Sequence, residues 1–332
     1  MESKGLAPVT LRFRRWAGPV GPEANFFREL FSRATGREIQ IIENAAQNVD
    51  IQIESVYGEG EAPSFSSRAI RFLQSHMPNG IDFEDRRFST NQQPTGNARF
   101  RVFFTGENER PPQGRWDAYL SFDVHSYEGR NTYLPLWWIT SSDILIPTVS
   151  PYLGKSITIN QMMSTRTMDF GSRPKFCAAF IGKAYPFRMQ SISALSKIGK
   201  VDVFGAVARN TRQTRADEKF TISQDYKFVF AFENDYFPGY VTEKLPEAWA
   251  TGAVPLYWGC DIKKSFNPKA FINAAEFPTL EDFVEYVSKV ESSSQLWSEI
   301  ASQPLLLQRP TMNEVVSNLS RILAPLRNGV SR

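Results

Sequence analysis

Residues Phe232–Gly259 read FENDYFPGYVTEKLPEAWATGAVPLYWG, directly after the apolar run YKFVFAF (Tyr226–Phe232). A continuously apolar run of this length is what a strand buried on both faces of a parallel sheet requires. It stops at Glu233 and Asn234, and strands of parallel sheets offer their ligand sites at that carboxyl end. The loop DYFPGYV leads to Thr242, which predicts a helix N-cap, with Glu243 and Lys244 in the first turn. Pro246 falls where its missing N–H costs little. Leu245, Ala248 and Trp249 make the inward stripe, Gly252 stops the helix, and AVPLYWG is the next strand. Strands that alternate with helices in this way build parallel sheets with crossover connections.

The free N–H groups and positive dipole end of a helix start suit a phosphate, and Lys244 adds a full charge there. The neighbouring Glu243 would repel phosphate but suits a ribose diol. Asn234 and Tyr240 supply further hydrogen-bonding groups. The stretch therefore reads as a nucleotide site. An ordinary charged helix start facing water is the competing reading, and spacing alone leaves both open.

At 332 residues the chain has room for two domains of the usual size. Its composition, 42% apolar and 22% charged, is that of an ordinary globular protein. A net charge of +3 argues against a dedicated nucleic-acid binder and is compatible with an anionic ligand. The two cysteines, Cys177 and Cys260, and the two histidines, His76 and His125, have no metal-ligand spacing, so no metal site is expected. No apolar run long enough to span a membrane occurs, and the start lacks a signal-peptide core. The chain reads as soluble and cytoplasmic, with peripheral membrane association left open and the oligomeric state unassigned.

Working outward, VTLRFRRW is a first strand, and EANFFRELFSRATG a helix with Phe26, Phe27, Leu30 and Phe31 on one face, ending at Gly36. REIQIIE and VDIQIESVYG follow as strands. In the second, Val49, Ile51 and Ile53 alternate with polar residues, the pattern of a half-buried strand. ARFRVFFTGENERP and WDAYLSFDV are apolar runs ending in polar groups. Pro147–Pro174, rich in Ser, Thr and Pro, predicts a linker. The pattern then restarts with strand KFCAAFIG, helix RMQSISALSKIG and strand VDVFG. NTRQTRADEK, with Arg209, Arg212 and Arg215 in or beside it, reads as a solvated loop or a lid. LEDFVEYVSKV, SSSQLWSEIASQ and MNEVVSNLSRILAPLRN predict helices. The expected division is 1–155, 156–310, and a C-terminal segment 311–332 able to cross back to the first domain.

The opening stretch strongly resembles the donor-binding motif of the α1,3-fucosyltransferases (glycosyltransferase family 10), in which FEN, a YVTEK segment and a VP strand recur in this order. KKSFNPKAFINAAEF (Lys263–Phe277) is similar to the family's continuation. VFFTGENERP (Val102–Pro111) resembles the segment that carries the catalytic base in bacterial members. The resemblance covers roughly 98–140 and 175–290.

It implies an α/β GT-B fold, two Rossmann-like domains facing each other across a cleft. It also implies inverting transfer from GDP-fucose without a metal or other cofactor, to an N-acetylglucosamine-containing glycan, with an α1,3 linkage. By residue it implies Lys244 and Arg188 on the diphosphate, Glu243 on the ribose, Asn234 and Tyr240 lining the site, and Glu107 as general base with Glu109 as the alternative. Without the resemblance, GENERP reads as a charged turn after a strand. Three departures stand: the surroundings of Arg188 are diverged, and the heptad repeats and basic tail of some bacterial members and the anchor of animal members are absent. A transferase for another GDP-sugar, or a non-catalytic nucleotide-sugar or glycan binder, are the alternatives. The pair Glu107 and Lys244 argues against a pure binder, which needs no base.

Overall fold

The protein is seen in a computed structural model that describes residues 6–16, 23–56, 93–112, 114–151, 153–207, 209–211 and 214–328. His76 and Arg212 lie outside the described residues.

The first half forms one wholly parallel sheet from β1 (Val9–Arg14), β2 (Ile39–Ile41), β3 (Val49–Glu54), β4 (Ala98–Phe104), β5 (Ala118–Ser121) and β6 (Asn131–Tyr133), in the order β2-β1-β3-β4-β5-β6. Helix α1 (Glu23–Thr35) connects β1 to β2 and seats Phe26, Phe27, Leu30 and Phe31 in the core, as its spacing requires. Two short helices, α2 (Leu136–Thr140) and α3 (Ile159–Met162), precede the second half.

The second half forms another parallel sheet from β7 (Lys175–Phe180), β8 (Val201–Phe204), β9 (Tyr226–Phe232), β10 (Val254–Trp258) and β11 (Ile272–Asn273), in the order β11-β10-β9-β7-β8. Its helices are α4 (Pro186–Leu195), α5 (Lys219–Ser223), α6 (Lys244–Ala250), α7 (Leu280–Glu291) and α8 (Ser294–Ala301). The chain ends in α9 (Asn313–Ile322) and α10 (Ala324–Arg327). Both sheets reverse strand order beside their first strand, between β1 and β3 and between β7 and β9. A parallel sheet opens its ligand crevice at such a switch point. The last two helices return to the first sheet, where Val315, Leu319, Leu323 and Leu326 join α1 in one core.

Four expectations need correction. The segment predicted as a linker is folded: Thr158 caps α3 with a reciprocal capping box to Gln161, and Leu153, Ile157, Ile159 and Met162 share an apolar cluster with Leu245 and Trp249 of α6. Its two arginines are packed as well; half-buried Arg166 stacks on Trp249, and buried Arg173 bonds the Tyr226 and Thr251 carbonyls at 2.9 and 2.8 Å. Composition misled because Ser, Thr and Pro signal turns whether or not those turns pack.

Secondly, Thr242 does not cap α6. Glu243 is the N-cap residue, at φ −67° and ψ −14° without a side-chain capping bond, because the Thr242 hydroxyl is taken by Glu233 and Lys244. Thirdly, β3 is buried on both faces rather than half-buried. Gln52 and Glu54 are both fully buried, held in a polar network with Arg12. Finally, the stretch read as a loop before β9 contains a 3₁₀ turn (Ala216–Glu218) and α5. Asn210 and Thr211 at its start bond the backbone of β8, and Arg215 pairs with Asp217 at 2.8 Å.

Candidate donor and acceptor cleft

The carboxyl ends of β7 and β9 carry the first group of side chains. β7 runs into the loop Ile181–Tyr185, and α4 starts with Pro186 at its first position, a residue pre-set for that place. One turn in, Arg188 is only 4% exposed. Its Nη1 donates to the Asn234 side-chain oxygen at 2.9 Å, across the switch point from β9. No carboxylate lies within ion-pair distance of Arg188 among the described residues, and its Nε has no acceptor. Burial pulls the Arg188 pKa down, partly offset by Glu233, and a guanidinium keeps its proton in proteins. A guanidinium sunk this deep with a neutral amide as its side-chain partner is set for an anion.

Beside it, fully buried Glu233 accepts from the Thr242 backbone N–H at 2.8 Å and the Thr242 hydroxyl at 2.8 and 3.0 Å. Lys244 Nζ reaches Glu233 at 3.0 Å and the Thr242 oxygen at 2.8 Å. With the hydroxyl oxygen accepting from Lys244, its proton must point to Glu233, so three donors converge on one carboxylate and hold it ionised. Burial pushes the Glu233 carboxyl up, against the pull of Lys244. For Lys244, burial acts downward but Glu233 and Glu243 outweigh it, so the amine stays charged. Lys244 therefore faces the crevice with its charge partly balanced from behind. The Glu243 carboxylate stands at the helix start, half-buried and without a hydrogen bond or ion pair among the described residues.

Tyr240 lies among these charges, with Glu233, Glu107 and Glu243 acting on its hydroxyl. It is 1% exposed and packs edge-on against Phe122 of the first half at 5.0 Å. Its ring is a contact between the two sheet units, and burial lifts its hydroxyl far above the ordinary range. Next to it Gly239 has φ +82°, and a Cβ there would lie 2.3 Å from the Phe122 carbonyl oxygen. Tyr133 donates to the Gly239 carbonyl at 3.2 Å.

Opposite stands the loop after β4. Thr105 and Glu107 exchange hydrogen bonds of 3.0 and 3.1 Å, and the Glu109 N–H closes a tight turn on the Glu107 carbonyl at 2.7 Å. The turn keeps Glu107 and Glu109 together in the loop at the carboxyl end of β4. Glu107 lies 3.9 Å from Lys183, which projects from the loop after β7. Glu107 thus comes near a residue of the second sheet's loop. Asn108 and Arg110, between and beyond the two acids, also reach across.

Lys183 was not singled out from the sequence, although its place in GKAYPF at a strand's carboxyl end is the same signal that marked Lys244. His125 is exposed with its ring edge-on to Tyr127, and Cys260 is buried with its thiol toward the Tyr240 carbonyl. No cluster of three or more potential metal ligands occurs among the described residues, and no helix among them is long and apolar enough to cross a membrane.

Two parallel sheets with helices about them, each presenting charged groups at strand carboxyl ends, define a GT-B fold. A solved α1,3-fucosyltransferase structure superposes with a TM-score of 0.63 at 22% identity, covering 99% of this chain and 92% of that one. A structure of α1,3-fucosyltransferase with GDP-fucose superposes with a TM-score of 0.63 at 21% identity and equal coverage. Residues 172–300 match the C-terminal part of glycosyltransferase family 10 (fucosyltransferase). An α-(1,3)-fucosyltransferase FucT of Helicobacter pylori is 26% identical over 284 residues, 75% of this chain and 59% of that protein. A 4-galactosyl-N-acetylglucosaminide 3-α-L-fucosyltransferase of Gorilla gorilla gorilla is 34% identical over 111 residues, 31% of this chain and 29% of that protein. The chain thus spans about three-fifths of the first relative and under a third of the second.

Proposed function

We propose that this chain is an inverting α1,3-fucosyltransferase that moves L-fucose from GDP-fucose to a hydroxyl of an N-acetylglucosamine-containing glycan. The observation that carries the reading is Arg188, buried at the β7/β9 switch point without a carboxylate partner among the described residues and bonded to Asn234. Such a group suits the diphosphate of a nucleotide sugar, with Lys244 adding charge from the start of α6. Glu243 takes the ribose hydroxyls, and Tyr240 supports the site from beneath. The N-acetylglucosamine acceptor is supported by the gorilla relative, a 4-galactosyl-N-acetylglucosaminide 3-α-L-fucosyltransferase.

In the reaction the bond from fucose C1 to the diphosphate oxygen breaks, its electron pair leaving with GDP. The acceptor oxygen bonds C1 from the opposite face, and its proton passes to Glu107, or to Glu109 in the alternative assignment. The transition state resembles an oxocarbenium ion, as in glycoside hydrolysis. Arg188 and Lys244 stabilise the charge that builds on the departing diphosphate, the task a metal performs in other transferases. Turnover is therefore expected to persist in EDTA. The deciding experiment offers GDP-fucose and GDP-mannose with N-acetyllactosamine-type acceptors. Fucosyl transfer with GDP-fucose alone is the expected result; transfer with GDP-mannose alone points to another GDP-sugar, and none with either to a binding protein.

A further inference from the structure

The acids of the β4–β5 loop alternate with two residues that neither bind donor nor take a proton in the mechanism above, and both grip the other half of the molecule. Asn108 Nδ2 donates to Asp235 Oδ2 at 2.6 Å, although 127 residues separate them. Arg110 Nη1 donates to the Asn108 side-chain oxygen at 3.3 Å, which fixes the amide so that its NH₂ faces Asp235. The Arg110 guanidinium lies over the rings of Phe122 and Phe237, one from each half, with its residue only 6% exposed. The second oxygen of Asp235 accepts from the Tyr236 N–H at 2.8 Å, so the carboxylate is held at both ends. Asn108 follows Glu107 directly, and Asp235 follows Asn234, the partner of Arg188.

We infer that Asn108 and Asp235, oriented by Arg110, are positioning residues that set the register of Glu107 against the diphosphate-binding group. The inference rests on the transfer reading above. One short hydrogen bond joins the residue beside the base to the residue beside the donor's anchor, through two tight backbone segments. The distance between base and leaving group is therefore fixed at this bond more directly than through either core. A misplacement of about 1 Å costs about 100-fold in rate when reactants must be held in near-attack geometry.

The test exchanges the two side chains. Asn108→Asp sets two carboxylates face to face without changing size; adding Asp235→Asn restores one amide and one carboxylate in reversed order, with Arg110 and the Tyr236 N–H still facing acceptors. Asn108→Asp should lower kcat by about 100-fold while the calorimetric Kd for GDP stays within about threefold. The double exchange should return kcat to within about fivefold of the wild type, the non-additivity expected of a direct contact. Asn108→Ala, which removes the bond without repulsion, should fall between. An unchanged kcat in Asn108→Asp, a GDP affinity falling in step with kcat, or a double exchange as slow as the single one would each overturn the inference. If the wild type transfers no fucose, the transfer reading fails by itself. The register is then judged by amide hydrogen exchange of residues 235–240, which should quicken in Asn108→Asp and recover in the exchange pair. Unchanged exchange overturns it.

Discussion

The two sheets share one winding and treat their switch points in opposite ways. Between β1 and β3, Arg12 gives Nε and Nη2 to Gln52 at 3.0 and 2.6 Å, and Nη1 to the carbonyls of Ala45 and Gln47 at 2.9 and 2.7 Å. Gln52 donates to Glu54 at 2.7 Å, and Glu54 accepts from the Thr95 N–H at 2.7 Å. The crevice is filled with the protein's own polar groups, bonded to one another. At the switch point between β7 and β9, Arg188 of α4 keeps one unpartnered N–H, and Glu243 keeps a carboxylate unbonded among the described residues. Identical winding makes two places where a ligand could sit. Where the buried charges are already satisfied a ligand has less to gain, and the base proposed for the first sheet follows β4 instead.

Five substitutions break or sharpen that contrast. The largest effect is expected for Glu107→Gln, which keeps the shape, removes the proton acceptor and should slow transfer by about 10²–10⁴-fold. GDP affinity should hold, because the acid and the anion site belong to different sheets. Glu109→Gln is the matched control; if it is the dead enzyme and Glu107→Gln is near normal, the base lies two residues further on.

Lys244→Ala comes next, because it strips the cation from fully buried Glu233. Breaking a buried pair from one side costs about 3–5 kcal/mol, so the melting temperature should fall along with GDP affinity. A variant that loses affinity at unchanged melting temperature would mean that Glu233 is not charged in the free protein. Arg188→Ala removes a cation without orphaning a carboxylate. It should weaken GDP by about 1.5–3 kcal/mol in calorimetry and leave thermal stability less affected. Unchanged GDP affinity would move the diphosphate elsewhere.

The smallest effect belongs to Gly239→Ala. The left-handed backbone costs a residue with a Cβ about 1–2 kcal/mol, and the added carbon must also push Phe122 away. Transfer should suffer more than GDP binding, since the loop separates the halves without touching the anchor. Equal losses in both would show that the loop shapes the donor site itself.

How much of this was legible in the sequence follows from how far apart partners lie. Strands such as Tyr226–Phe232 and the stripe of α1 follow from local periodicity, and both appear as expected. Lys244, Glu243 and Asn234 fall within one short motif, which is why strand-end logic found them. The role of Thr242 was misread because its partner Glu233 outcompetes the helix end for its hydroxyl. The polar face of β3 was taken as solvated because nothing in VDIQIE announces Arg12. Contacts between halves were beyond reach: Asn108 with Asp235, Tyr133 with Gly239, and Ser150 with fully buried Glu247 join residues 127, 106 and 97 apart. No local pattern encodes such a pairing.

The return of α9 and α10 to the first core has a bearing on how the molecule is made. Val315, Leu319, Leu323 and Leu326 pack beside Phe27 and Phe31, yet the ribosome adds them only after the whole second sheet has been synthesised. During synthesis the first sheet must wait with an apolar groove along α1 uncovered. A partly folded unit of that kind is prone to associate with others like it. The closing stroke of folding then seals the first half. Shortening the chain before Met312 should therefore harm the half that is first in sequence, and leave the half that is nearest the cut with its own core whole.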